Sequence, residues 1–422
     1  MPFLLYMLAL AVFAQGTSEF MLAGLLPAIS ADLGVSIPQA GLLTSSFAVG
    51  MVVGAPAMAA LGRRWPPRWT LTGFLGLFTA AHVVGALTDD FAVLLATRVV
   101  AALANAGFLA VALAVVAAVV PTGLRARGLA VVLGGTTLAL VAGVPLGAVL
   151  GAGFGWRAAL WAVAAVSVPA LIAVAAATPG RIADTGPHTD PAPGGGDEPV
   201  PGTEPGTDPD DRPRAVAPRL TAEFAVLGRL RLQVALLLAV FVNGATFCVF
   251  TYLAPLVTDT AGLPPSVVPA VLALFGAGAF AGVRVSGRFA DRHWRPLLAW
   301  GGCSLPLGWG VLAVAAAHPV AVVALTPLLG TLSFAVGGTL IARIMANAAG
   351  APTMGGSFAT AALNLGAVAG PVLGGIAYTA TGARGPVLTA VALVLAALAV
   401  GGAHTLAAAR STRAPVPDGL RD

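Results

Sequence analysis

Apolar residues run in long blocks down almost the whole chain, broken by short stretches that carry the arginines, prolines and most of the acids. Blocks of this length suit the ~20 residues that a helix needs to cross a bilayer. They predict twelve spans, near 4–29, 39–61, 69–88, 91–120, 129–150, 157–177, 232–257, 267–286, 296–316, 319–342, 355–380 and 386–408. The predicted fold class is an all-α integral membrane protein of two pseudo-symmetric six-helix bundles. Residues 178–219 interrupt the pattern with Pro, Gly, Asp and Thr and no helical period, which predicts a solvated, largely disordered linker. The expected units are an N-terminal bundle over 1–177, a linker over 178–231, a C-terminal bundle over 232–410 and a tail over 411–422.

Composition sharpens this reading. The chain is 58% hydrophobic and 9% charged, against about 25% charged in soluble domains. All 22 basic residues are Arg, and they fall mainly in alternate connections. Arg63, Arg64, Arg68, Arg125, Arg127, Arg288, Arg292, Arg295 and Arg343 lie on the side of the linker, and only Arg157 and Arg384 lie opposite. That bias predicts a multi-pass protein of the cytoplasmic (inner) membrane with both termini in the cytoplasm. The net charge of +5 is therefore a topology signal rather than a nucleic-acid footprint. The N-terminus lacks the basic start and short apolar run of a signal peptide. Cys248 and Cys303 lie in apolar runs and imply neither a disulfide framework nor a metal site.

A shift of 228 positions lays the second half on the first: Gly16 falls on Gly244, Pro27 on Pro255, Gly34 on Gly262, Gly50 on Gly278 and Gly54 on Gly282. Six spans separate the copies, so both run in the same sense, a layout that places a site near the midplane between halves. Symmetry is broken at Glu19, which falls on Phe247. Of 17 acidic residues, Glu19 alone lies inside an apolar block. An ionised carboxylate at that depth costs several kcal/mol unless it is paired or wet. Glu19 is therefore a candidate proton carrier, the alternative being a structural carboxylate bonded to a neighbouring helix.

Arg98 lies eight residues inside Asp90, and Glu19 eleven inside Ser30, or roughly 12 and 16 Å at 1.5 Å per residue. Similar depth from the same face predicts that they meet, directly or through water; the alternative is that Arg98 snorkels outward. Gln15 lies one turn before Glu19 and Asn105 two turns after Arg98. With Asn243, Tyr252 and Asn364 they could line a cavity or could bridge helices. His82 reads as a satisfied structural residue of a peripheral span. The chain has no phosphate-binding Gly-rich loop, so ATP-driven transport is not indicated and no cofactor beyond a proton gradient is expected.

Several motifs carry a resemblance to the major facilitator superfamily. The run from Gly134 to Gly151, with Gly143, Pro145 and Gly147, resembles the fifth-span antiporter motif of its drug:proton exporters. Physically, small residues at near-helical spacing admit a close neighbour, and Pro145 bends the span. Gly287, Asp291, Arg292 and Arg295 resemble the family's cytoplasmic loop, whose acid and arginines latch the halves in the outward-facing state. The first-half counterpart keeps Arg63 and Arg64 but has Ala59 where the acid would stand, and a basic loop that sets topology explains it equally. Gly16–Pro27, Ala104–Leu113 and Gly350–Ser357 resemble the actinobacterial chloramphenicol-resistance exporters. The resemblance implies a non-enzymatic, monomeric exporter of chloramphenicol or a related amphenicol, with protons and the bilayer as its other partners. Export of a sugar or nucleoside on the same scaffold, or drug sensing without transport, are the rival expectations.

Overall fold

The computed structural model describes residues 2–61, 66–178, 220–351 and 354–411. The described residues are helical nearly throughout. The first span runs over Pro2–Phe20, passes through a 3₁₀ turn at Met21–Gly24 and continues as a short helix, Leu26–Leu33. The second to fourth spans are Ile37–Leu61, Pro67–Leu87 and Phe91–Val119. The fifth is Arg125–Leu138, then a π-helical turn at Ala139–Gly143, then Val144–Phe154, and the sixth is Trp156–Ala177. A short helix at Leu220–Ala225 leads into the seventh, Leu230–Thr251.

The eighth and ninth spans lie within Val268–Ala315 as two helices that meet at a kink, where His293 leaves helical geometry (φ −121°, ψ 29°) three residues before Pro296. The apolar stretch Pro265–Ala315 is 51 residues long, more than twice what one crossing of a ~30 Å hydrocarbon core needs. It therefore crosses twice. The tenth span is Pro319–Asn347, and the eleventh and twelfth, Gly355–Thr381 and Gly385–Ser411, are joined by a single 3₁₀ turn. Twelve crossings follow among the described residues, as the hydropathy pattern predicts.

Two apolar cores form. One is built mainly from the first six spans around Phe47, Phe78 and Phe108, and the other mainly from the last six around Phe275, Trp309 and Leu329, with Phe20, Leu140 and Val144 of the first half joining the second core and Tyr252 the first. The internal repeat appears in backbone geometry. Gly34 and Gly262 both end a helix in the left-handed region, at φ +64° and +65°, where only glycine is unstrained. Gly50 lies against the Val99 carbonyl of the fourth span, and its counterpart Gly278 against the Pro327 carbonyl of the tenth.

The halves meet from mid-span to the end remote from the linker. Ser45 Oγ donates to the Val368 carbonyl at 3.0 Å. Tyr252 from the second half lies over Gly41, where a Cβ would overlap its ring, and its hydroxyl donates to the Pro371 carbonyl at 2.9 Å. Leu272 occupies the space that a side chain on Gly24 would need.

The same end of the first bundle is clamped by Arg157. It bonds Asp32, Asp89 (2.5 Å) and the Thr88 carbonyl (3.1 Å), while Trp156 Nε1 donates to Asp32 at 3.0 Å. Hydrogen bonds from Arg157 and Trp156 hold the Asp32 carboxyl below the usual carboxylate range. A carboxyl depressed in the folded state stabilises above its unfolded pKa, and that contribution is lost as pH falls through the folded value. Thermal unfolding in detergent is expected to show Asp32→Asn slightly less stable than the parent at pH 7. The difference should shrink as pH falls below the usual carboxylate range and through the lowered value of Asp32. A gap that stays equal as pH falls would contradict the charge-based clamp.

Candidate functional site

Glu19 is half-buried at the point where the first span changes from α to 3₁₀ winding. The fifth span lies along this segment through its glycines. A Cβ on Gly135 would strike the Ala9 carbonyl, one on Gly143 would overlap the Thr17 side chain, and one on Gly147 would come within 3.1 Å of Met21. The antiporter-like run thus brings the fifth-span backbone against Thr17, two residues from Glu19. Pro145 cannot donate to the carbonyl of residue 141 and would crowd it in a regular α-helix. The π turn at Ala139–Gly143 widens the helix at that place. The opposite side of this turn meets the second half, with Leu140 against Gly276 of the eighth span.

Arg98 is 2% exposed, so it does not snorkel. Its Nη1 donates to Ser18 Oγ at 2.9 Å and its Nη2 to the Ser18 carbonyl at 2.6 Å. Its guanidinium carbon stands 4.7 Å from the centre of the Phe47 ring, in cation–π range. Of the two expected forms of the meeting with Glu19, the direct one is not formed: among the described residues Arg98 makes no ion pair with it, its close partner is the preceding residue, and the meeting through water stays an expectation. The depth argument places the groups at one level, but adjacent helical residues point about 100° apart. Glu19 and Arg98 remain near enough to attract through a medium of low dielectric.

His82 completes the cluster. Its Nδ1 lies 2.7 Å from the Phe78 carbonyl, which can only accept, so Nδ1 carries the proton. Nε2 is then the acceptor, 2.6 Å from Ser18 Oγ, and Ser18 donates to it. Ser18 Oγ accepts from Arg98 and gives its own proton to His82, and this fixes the arginine beside Glu19. His82→Phe keeps an aromatic ring but leaves the Ser18 hydroxyl proton without its acceptor, at a cost of about 1–3 kcal/mol. The variant is expected to unfold at lower temperature and to transport more slowly. Unchanged values of both would remove His82 from the network. Neither Ser18 nor this role of His82 is visible in hydropathy, because a lone serine in an apolar helix is a common self-bonded residue.

The other predicted residues are placed as follows. Gln15 is 1% exposed, and neither of its amide atoms has a partner among the described residues; Thr17 Oγ1 likewise has none. Both lie within a turn of Glu19, which makes this a locally under-satisfied polar patch. Asn105 Nδ2 is 3.6 Å from Met51 Sδ. Asn243 donates to the Leu363 carbonyl at 2.6 Å and bridges the seventh and eleventh spans, and Asn364 donates back to Thr360 at 2.9 Å. Tyr252 belongs to the contact between halves. Phe20, next to Glu19, also reaches across: its ring lies 5.9 Å from Phe247 and 6.3 Å from Phe250. Gly287, Asp291 and Arg292 are exposed beside the kink between the eighth and ninth spans, and among the described residues Asp291 and Arg292 form no ion pair. Arg63 and Arg64 lie outside the described residues.

Two six-span bundles, joined over part of their length with a charged and polar cluster beside the seam, define a membrane transporter. Comparison with known proteins gives the family. The Major Facilitator Superfamily profile matches residues 8–360, and the chain belongs to that superfamily. It is 51% identical over 402 residues, 95% of each chain, to a chloramphenicol resistance protein of Streptomyces lividans. It is 31% identical to the inner membrane transport protein YdhP of Escherichia coli K12, over 92% of this chain and 93% of that one. Among solved structures, a bacterial homologue of the human lysosomal transporter Spinster superposes with a TM-score of 0.71 at 17% identity, covering 94% of both chains. The nucleoside transporter NupG superposes with a TM-score of 0.70 at 12% identity, covering 94% of this chain and 98% of that one. At those identities the two structures speak for the fold. The chain is thus a multi-pass membrane transporter and not an enzyme.

Proposed function

We propose that this transporter exports chloramphenicol or a related amphenicol in exchange for protons, by alternating access, and that Glu19 carries the proton. The observation that supports this most is a half-buried carboxylate beside the seam, next to an arginine held by a fixed hydrogen-bond network. The substrate class is taken from the chloramphenicol resistance relative, which is similar along nearly the whole chain.

In this reading the ionised Glu19 is stabilised by the charge of Arg98 and by water reaching it from an open side. Protonation removes the attraction and allows the first span to move at its 3₁₀ break. The described contacts between halves lie from mid-span to the end remote from the linker, which supports a state closed on that side. Arginine placement supports a cytoplasmic linker and cytoplasmic termini, so the state drawn here would open inward. The exposed Asp291 and Arg292 would engage the first-half loop when the halves rock the other way. The unpaired Gln15 amide would meet drug or water. One charge moving through 100 mV releases about 2.3 kcal/mol, enough for a drug gradient of roughly fiftyfold at one proton per neutral drug. The chain would act as a monomer in the cytoplasmic membrane.

Accumulation of radiolabelled chloramphenicol in everted vesicles tests the reading. Uptake that a proton uncoupler collapses is expected. Uptake that survives the uncoupler would refute proton coupling, and none by folded protein would refute the substrate.

A further inference from the structure

A cavity of about 880 Å³ lies inside the second bundle at the end that carries the linker. It opens among the seventh, ninth, tenth and twelfth spans, and no residue of the first half lines it. It is therefore separate from the seam between halves, where Glu19 lies. Its walls are aliphatic, with Leu238, Leu298 and Leu340 prominent, while its rim carries Arg231, Arg295, Arg343 and His404 and no acidic residue. A smaller hollow adjoins it, sharing Arg231 and His404 and adding Arg229. Trp294 lies between two of the rim cations, 5.3 Å from the Arg295 guanidinium carbon and 4.1 Å from that of Arg343. Among the described residues none of the three rim arginines forms an ion pair.

The depth of this rim is set by the spans themselves. Arg231 is the second residue of the apolar span Leu230–Thr251, and Arg343 lies in the last turns of Pro319–Asn347. These positions lie at headgroup level, where Arg and Trp are at home. Apolar walls below a ring of cations match one amphiphile: an acyl chain under an anionic phosphate. We propose that this cleft binds an anionic phospholipid, with its phosphate on Arg231, Arg295 and Arg343 and part of a chain between the seventh and ninth spans. The acidic linker is the rival occupant by charge. Residues 179–219, however, offer only Ile182, Val200 and Val216 as large aliphatic side chains, too few to fill an apolar cleft.

The test is retention of phosphatidylglycerol against phosphatidylcholine of the same chains by the purified full-length protein, read by native mass spectrometry. Preferential retention of phosphatidylglycerol is expected. Arg231→Gln and Arg343→Gln should each reduce that preference about fivefold, since one cation near a charged lipid surface contributes on that scale. Gly402→Phe tests the apolar part independently. Gly402 lines the cleft and a Cβ there meets nothing within 4 Å, so bulk added at this position should compete with the lipid chain while the rim stays intact. Equal retention of the two lipids, or a preference that survives all three variants, would overturn the proposal. So would a rise in phosphatidylglycerol retention on neutralising Asp208, Asp210 and Asp211, which would identify the linker as occupant.

Discussion

Glu19→Gln is expected to abolish gradient-driven accumulation of chloramphenicol while leaving the folded protein and its drug binding in place. The amide occupies nearly the same volume at a half-buried position, so packing around Thr17 and Phe20 is kept. The lost property is the alternation between charged and neutral forms beside Arg98. Without it, the imposed pH gradient has no group to act on, and accumulation should fall at least tenfold, the equivalent of about 1.4 kcal/mol of the ~2.3 available from 100 mV. Equilibrium exchange of labelled for unlabelled drug needs no net proton movement and should persist. Exchange lost along with accumulation would mean that Glu19 holds the drug or the fold instead. Gradient-driven uptake equal to the parent would remove Glu19 as carrier.

Gly143→Leu is the second large effect. The glycine faces Thr17 so closely that even a Cβ would overlap its side chain. A leucine must force the first and fifth spans apart beside Glu19, and overpacking of this kind costs about 1–3 kcal/mol. The π turn that ends at Gly143 and the 3₁₀ break at Met21–Gly24 are the two irregular windings at this contact, so displacement there should stop transport almost entirely. Gly134 provides the control on the same span: nothing lies within 4 Å of a Cβ added to it. Gly134→Leu should keep most of the activity. Equal loss in the two variants would show that the fifth span tolerates no bulk anywhere and would remove the special role of its contact with the first span.

Much of this architecture is legible in the chain. The span count follows from apolar length alone, and the eighth and ninth spans are divided by a kink at His293, just ahead of Pro296, with no extended loop between them. The repeat is legible because Gly34 and Gly262 perform the same left-handed turn. Glu19 stands out because an acid in an apolar block is conspicuous. The partner of Arg98 is not legible. Depth counted from the helix ends fixes a level, while facing depends on rotation, and Ser18 and Glu19 are adjacent residues on different faces. His82 is hidden for another reason. Its position on a span that looks peripheral conceals that its Nε2 reaches across 64 residues of sequence to Ser18. Asn243 and Asn364 cannot be sorted into cavity or bridge by composition; their donors go to backbone carbonyls.

The most direct measurement is of proton movement driven by the drug. Purified protein is reconstituted in liposomes that contain a pH-sensitive dye, with the membrane potential clamped, and chloramphenicol is added outside. A proton antiporter lets the drug in and protons out, so the lumen should become alkaline in the parent, and not in Glu19→Gln or in protein-free liposomes. Protein-dependent entry of labelled chloramphenicol with no change in luminal pH would contradict the account at its centre.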